Sequence, residues 1–464
     1  MNQRVCKKFV ALGARTGILL VALSFSLFAQ GKNPIILIPG LSGSELRNKI
    51  TNERIWFKAV KSKSEDLRLP ILADVTKMHD DLVASDILRE VKIGIFPGID
   101  VYGGFIRAME TRAGYHEEKW ETPSDGGYQD SLYVFAYDWR LDNVENARLL
   151  VRQVEALKRK FKKPDLKFDI VAHSMGGLIS RYAAMYGDAD LPTGNRKPQP
   201  TWAGARDFDR IVLLGTPNEG SALSLSSLLN GYAVGNIRID LPFVQDSSKF
   251  MVFTIPAAYQ LLPAPDTLRA FDDKLEPISI DIYDPKVWSK YGWNVIDDKK
   301  FTSRFNDAEQ KIAPAYFEAA LNRARRLHEA LAAADGKSGG VSFYVVGADC
   351  GTAPDSLVLV HDGKGDKWKT LFNPKAFTRS DGAKVSFEDL KKILIAPGDG
   401  IVTKRSLEAA TQSEKTGLRS IVGSESDKFI CEEHNKLAAN VRIQDYIIGI
   451  LNGKGTAAKA DKEK

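Results

Sequence analysis

The chain of 464 residues is 44% apolar and 27% charged, a globular composition with ample length for a sizeable core. It holds no long low-complexity tract and no internal repeat, which excludes fibrous and repeat architectures. The formal net charge is +6, but Arg4, Lys7, Lys8 and Arg15 stand in an N-terminal segment without an acid; without them the balance is +2, and no nucleic-acid partner is implied.

That N-terminal segment, residues 1–29, reads as an export signal. Its basic residues precede an apolar stretch from Gly17 to Phe28, and Ala29 precedes Gln30. The apolar run is short for a membrane span. Leu27 occupies a place where cleavage prefers a small residue, so an uncleaved anchor is the alternative. The expected location is periplasmic or secreted, with membrane association open. Cys6 leaves with the signal. Cys350 and Cys431 remain, an even number in an oxidising compartment, and are expected to pair; two unpaired buried thiols are the alternative.

Residues 34–38 form a continuous apolar run that ends at Pro39-Gly40, the pattern of a buried strand stopping at a turn. Ile55-Trp56-Phe57 follows; Trp56 and Phe57 are candidates for a lipid-interface anchor, against the alternative of an aromatic pair on the core. A second buried strand is expected at 132–136. Behind Asp142-Asn143-Val144-Glu145, which has the form of a capping box, Val144, Ala147, Val151, Val154, Leu157 and Phe161 recur at helical spacing. A strand over 167–171 runs into Ala172-His173-Ser174-Met175-Gly176, and a helix is expected over about 176–187. Ile211 to Leu214 make another strand. The alternation of strand and helix predicts a doubly wound, mostly parallel α/β sheet.

From Asn218 to about Lys337 the alternation stops, and this stretch reads as a cap or lid over the C-terminal edge of the sheet. Residues 341–347 resume the sheet, 357–361 resemble an added β-ribbon, 418–422 read as a late strand and 436–451 as a closing helix. The expected organisation is thus signal 1–29, core 30–217, cap 218–340, core 341–452 and a disordered tail 453–464. The basic runs Lys158-Arg159-Lys160 and Arg323-Ala324-Arg325-Arg326 read as solvated helix faces.

The chemistry centres on Ser174. A strand, a sharp turn and a helix present a serine hydroxyl above the sheet beside a helix N-terminus, the nucleophile elbow of α/β-hydrolases. Small residues at 172, 176 and 177 let strand and helix backbones approach; Ala172 stands where glycine is usual. Serine needs an imidazole, and the imidazole needs a carboxylate, in the chain order Ser, acid, His. Of six histidines, His434 alone lies after a late strand and before the terminal helix. For the acid, Asp399 between Gly398 and Gly400 is preferred to Asp349, which adjoins Cys350 and has no tight turn around it. The oxyanion donors are expected to be the backbone N–H of Met175 and that of Leu41, in Pro39-Gly40-Leu41-Ser42-Gly43. This chemistry calls for no metal and no organic cofactor.

With these residues in place the chain resembles the lecithin:cholesterol acyltransferase family, which includes lysosomal phospholipase A. The matching segments are Ile36 to Ser44, Tyr137-Asp138-Trp139-Arg140-Leu141, Ala172 to Gly177, Leu214-Gly215-Thr216-Pro217-Asn218-Glu219-Gly220-Ser221, Ala258 to Pro263 and Gly398-Asp399-Gly400-Ile401-Val402. The resemblance implies an α/β-hydrolase fold with a cap and a mobile lid. It implies the triad Ser174, Asp399 and His434, oxyanion donors at Leu41 and Met175, and a disulfide near acid and base, which fits Cys350–Cys431. Family members cleave an acyl ester of a glycerophospholipid and pass the acyl group to a hydroxyl or to water. The expected partners are therefore a phospholipid or other lipid ester, an alcohol acceptor and a peripheral lipid surface. No cysteine lies between positions 7 and 349, so the N-terminal disulfide common in the family is absent, and a sterol acceptor does not carry over. The competing readings are a lipase without acyl transfer, a peptidase on the same fold, and a lipid-binding protein with a degenerate site.

Overall fold

Apolar-rich runs form strands covered on both faces, and five of them, flanked by two polar edge strands, build the centre of this molecule. The computed structural model describes residues 32–58, 67–91, 99–124, 128–194, 196–231, 248–361, 367–422 and 426–453. The expected signal, residues 232–247 of the expected lid and residues 454–464 of the expected tail lie outside these. The strands are β1 (Ile35–Ile38), β2 (His116–Glu118), β3 (Ser131–Val134), β4 (Phe168–His173), β5 (Phe208–Leu214), β6 (Ser342–Gly347) and β7 (Asp427–Phe429). They lie in the order β7-β6-β5-β4-β1-β3-β2, and every neighbouring pair is parallel. The strand order reverses at β1, so the ends of β1 and β4 form the crevice where open α/β sheets bind ligands.

Alternate side chains serve the two faces. Ile36, Ile38, Ile170, Ala172, Ile211 and Leu213 pack with helices α2 (Asn143–Phe161), α3 (Met175–Tyr186) and α4 (Asp307–Leu331). Ile35, Leu37, Val171, Val212 and Leu214 pack with α1 (Gly103–Ala113) and α5 (Val441–Leu451). Helix α2 starts where the Asp142 carboxylate accepts from Glu145 N–H and ends at Lys162 in the left-handed region. Its buried stripe is Val144, Ala147, Leu150, Val151, Val154 and Leu157.

Outside this sheet, Arg269–Phe271 pairs in parallel with Ser356–His361, which pairs antiparallel with Trp368–Leu371. This small sheet draws strands from both sides of residue 340. Gly351–Pro354 pairs antiparallel with Ile395–Gly398, a ribbon that leads into Asp399.

Four expectations are corrected. Residues 418–422 are not a strand: Leu418–Ser420 is a 3-10 turn, and the late strand is β7. The segment buries Leu418 and Val422 without joining a ladder, because three apolar residues among five do not by themselves distinguish strand from turn. Lys158 is not on a solvated face. It is 4% exposed and its Nζ lies 2.5 Å from Asp207 Oδ1. Arg323 likewise turns inward, with Nε and Nη2 at 2.9 and 3.0 Å from Asp142. One residue of each run thus pins its helix to the core through a desolvated ion pair, while Arg159 and Lys160 stay exposed. Trp56 is no lipid anchor: it is 5% exposed, lies against Trp139 with ring centroids 5.4 Å apart, and donates its indole N–H to Ser42 O at 2.8 Å. Phe57 is half-buried and packs edge-on against Trp56.

Candidate active site

Strand β4 ends at His173 and α3 begins at Met175, which leaves Ser174 alone to turn the chain. Its φ of 53° and ψ of −124° lie in a region that L-residues rarely enter. The strain is held by close packing on every side. Ser174 N–H donates to Leu214 O at 2.7 Å. A methyl group at Gly176 would lie 2.6 Å from Pro39 O, and one at Gly177 would overlap Thr216 Oγ1. Ala172 sits in the sheet opposite Leu213, fully buried, so the methyl that replaces the usual glycine hydrogen is absorbed by the core.

The loop after β1 crosses directly over the serine: a methyl at Gly40 would lie 2.8 Å from Ser174 Cβ and 3.4 Å from its Oγ. Leu41 follows at once. Met175 N–H is the first amide of α3, and a helix leaves its first amides without an intrahelical acceptor. The loop is held from behind by the Tyr-Asp-Trp-Arg segment. Tyr137 donates its hydroxyl to Pro39 O at 2.8 Å. Arg140, fully buried, forks onto Asp138 and Asp80 with four contacts of 2.7–3.0 Å.

His434 stands over the elbow. Its Nε2 lies 2.9 Å from Ser174 Oγ, and its Nδ1 lies 2.7 Å from Asp399 Oδ2. Asp399 Oδ1 accepts from the N–H groups of Ile401 and Val402 at 3.0 and 2.8 Å. Burial would raise the Asp399 pKa, but the His434 charge, the hydrogen bond from its ring and the two amides outweigh it and hold the carboxyl below its ordinary value. The turn needs its glycines: a side chain at Gly398 would overlap Val402 O, and Gly400 has φ of 99°. Asp349, the other candidate acid, instead accepts from Lys404 Nζ at 2.9 Å. Cys350 and Cys431 form a disulfide; one end begins the ribbon leading to Asp399, the other precedes His434 by three residues.

The structure thus brings Ser174, Asp399, His434, Leu41 and Met175 to one place and leaves Trp56 in the core. Tyr102, at the start of α1, lacks any sequence signal. Its hydroxyl accepts from Gly40 N–H at 2.9 Å and lies 2.8 Å from His173 Nδ1. His173 turns away from Ser174, as its place in the elbow predicts, but its Nε2 reaches the carbonyl of His434 at 3.1 Å. Among the described residues no group of three or more His, Cys, Asp or Glu is placed to hold a metal ion.

The family model described as lecithin:cholesterol acyltransferase matches residues 113–304, less than half of the chain and including the elbow. The chain is related to the lecithin:cholesterol acyltransferase family. It is similar to the lysosomal phospholipase A and acyltransferase of Canis lupus familiaris, at 25% identity over 235 residues, covering 46% of this chain and 54% of that protein. It is also similar to an uncharacterized protein of Saccharomyces cerevisiae, at 22% identity over 303 residues, covering 64% of this chain and 39% of the yeast protein. The chain therefore spans about half the length, or less, of these curated relatives. Among solved structures it resembles a chain of the Tle4–Tli4 complex with a TM-score of 0.51 at 16% identity, covering 92% of this chain and 99% of that one, a likeness of fold alone. That fold, a parallel sheet with helices on both faces and a strained serine between strand and helix, is the α/β-hydrolase fold, as the resemblance to the lecithin:cholesterol acyltransferase family implies.

Proposed function

We propose that this chain is an exported serine acyl hydrolase and O-acyltransferase acting on lipid acyl esters, with phospholipid as the substrate class. The observation that carries the reading is the hydrogen-bonded line from Ser174 Oγ through His434 to Asp399. In this reading His434 Nε2 takes the Ser174 proton as Oγ attacks the ester carbonyl. Leu41 and Met175 N–H receive the oxyanion. The tetrahedral adduct collapses to an acyl-enzyme, and His434 returns the proton to the departing alcohol. Water or an acceptor alcohol, deprotonated by His434, then releases the acyl group. Asp399 stays ionised throughout, holds the ring with Nδ1–H toward itself and stabilises the imidazolium. Its depressed pKa supports this role.

The lipid ester comes from the family relationship and from the name of the canine relative. Export is supported by the disulfide and by the basic and apolar pattern of residues 1–29. Association with lipid is read as peripheral; among the described residues no helix is long and apolar enough to cross a membrane.

The test is mass spectrometry of products from purified protein incubated with mixed phospholipid vesicles, with and without a long-chain alcohol. Free fatty acid alone assigns hydrolysis; a new ester assigns transfer and names the acceptor. Ser174→Ala abolishes both while the protein stays folded. Turnover that survives this change overturns the reading.

A further inference from the structure

We propose that Tyr102 and His173 are positioning residues that join the oxyanion loop, the serine elbow and the His434 loop through one directed line of hydrogen bonds. The inference rests on the serine-hydrolase reading above and concerns how its parts are held in register.

The direction of the line follows from what each atom can do. His173 Nε2 faces the backbone carbonyl of His434 at 3.1 Å. A carbonyl only accepts, so Nε2 carries a proton. Burial first, and the nearby His434 second, push the His173 pKa down to about 3, so near neutral pH the ring is uncharged and Nδ1 is a bare acceptor. Tyr102 O–H, 2.8 Å away, donates to it. The same hydroxyl oxygen accepts from Gly40 N–H at 2.9 Å. At the far end, His434 N–H donates to Asp399 O at 2.8 Å. The line therefore runs Gly40, Tyr102, His173, His434, Asp399, and touches the backbone of every loop that supplies the site. Tyr102 and His173 are both buried, their rings edge to face with centroids 5.7 Å apart. The Gly40 peptide leads directly into Leu41. The Leu41 amide shares its peptide plane with Gly40 O, which accepts from Gly43 N–H at 3.0 Å. With Gly40 N–H anchored on Tyr102 as well, the peptide planes on both sides of the Gly40 Cα are fixed, and the Leu41 amide is aimed at the place where the oxyanion forms.

The roles predict a split between ground state and transition state. Tyr102→Phe keeps the ring and removes the acceptor of Gly40 N–H. Per active site titrated with a fluorophosphonate, kcat on a soluble ester falls about 10- to 100-fold, below the loss of a whole oxyanion donor, while KM stays within about twofold. Affinity for an alkylboronic acid, which forms a tetrahedral adduct on the serine, falls by the same factor as kcat. His173→Gln produces a similar loss, and the double variant loses little more than either single one, because both changes cut one line. A purely structural role would lower the titratable fraction or the melting temperature and leave kcat per site and boronate affinity unchanged; that result overturns the proposal. Should the variants fail to fold, ¹⁵N NMR of the histidine rings in the wild-type protein decides: a protonated Nε2 with a bare Nδ1 on His173 is expected, and the opposite tautomer overturns the line. A wild-type protein inert to both fluorophosphonate and ester overturns the hydrolase reading and this inference with it; a reactive wild type with unaffected variants overturns this inference alone.

Discussion

The serine and its two partners are held by opposite means. The elbow is local: its strand, turn and helix are continuous, and the unusual backbone at Ser174 persists because Pro39, Thr216 and Leu214 leave no other room. The Asp399–His434 pair is assembled from far apart. The two residues are separated by 35 positions, and His434 by 260 from Ser174. The Asp399 loop rests on a two-stranded ribbon and the His434 loop on the edge strand β7, and both are held by a disulfide and by single hydrogen bonds from His173 and from the loop after β5. A nucleophile can be built by steric exclusion in one short segment. An acid and base that must meet it need ties of long range, and these are the parts that can be loosened one at a time.

Cutting the most distant tie has the largest effect. Asp399→Asn leaves the turn nearly isosteric but removes the charge opposite the imidazolium, and kcat is expected to fall about 10⁴-fold with little loss of fold. Steady-state kinetics beside circular dichroism checks this; a loss below tenfold would remove Asp399 from the proposed triad. The carboxylate also contributes to stability, with a sign set by its lowered pKa. The contribution is complete above the unfolded-state value of about 4 and is lost as pH falls through the lower folded-state value. The stability gap between wild type and Asp399→Asn therefore narrows only in strongly acidic solution, as urea titrations at stepped pH will read.

The disulfide ranks next. It closes a loop with a sequence separation of 81, for which the chain-entropy account predicts about 4.5 kcal/mol. Cys350→Ser with Cys431→Ser is expected to lower the urea midpoint and to reduce fluorophosphonate labelling of the folded protein, since it frees both loops around Asp399 and His434. Unchanged labelling at full folding would mean that the ribbon alone holds the pair. On the elbow side, Gly177→Ala drives a methyl into the Thr216 side chain and is expected to cost about 1–3 kcal/mol. Thermal denaturation of this variant and of Gly177→Ala with Thr216→Ala separates the clash from other causes: the second change restores part of the loss.

What could be read from the sequence follows the same division. The strand into Ser174, the helix after it and the glycines that pack them form one contiguous pattern, as does Asp399 between its glycines. His434 was reachable from chain order alone. Tyr102 was not, because its partners Gly40 and His173 lie 62 and 71 positions away and no local spacing encodes a meeting at that distance. Lys158 and Arg323 misled for a related reason: a basic residue at helical spacing looks solvated until Asp207 or Asp142 is known to face it. Trp56 is hidden by Trp139, its partner from a remote loop.

The smallest effect isolates one of the weak ties. Ser221 sits in the loop after β5 and donates its hydroxyl to Ile401 O at 2.8 Å, while Val402 N–H, on the same peptide, donates to Asp399 Oδ1 at 2.8 Å. Ser221 thus braces the peptide that braces the acid. Ser221→Ala removes one part-buried hydrogen bond, worth about 1 kcal/mol, and also the cap that accepts from Leu223 N–H. If the acid loop depends on such ties, kcat falls by less than about tenfold and the loss grows when the disulfide is reduced, because both restraints act on one loop. If the two losses are independent, the ribbon of Gly351–Pro354 and Ile395–Gly398 positions Asp399 by itself, and the contrast between a locally built nucleophile and a remotely tied acid narrows to His434 alone.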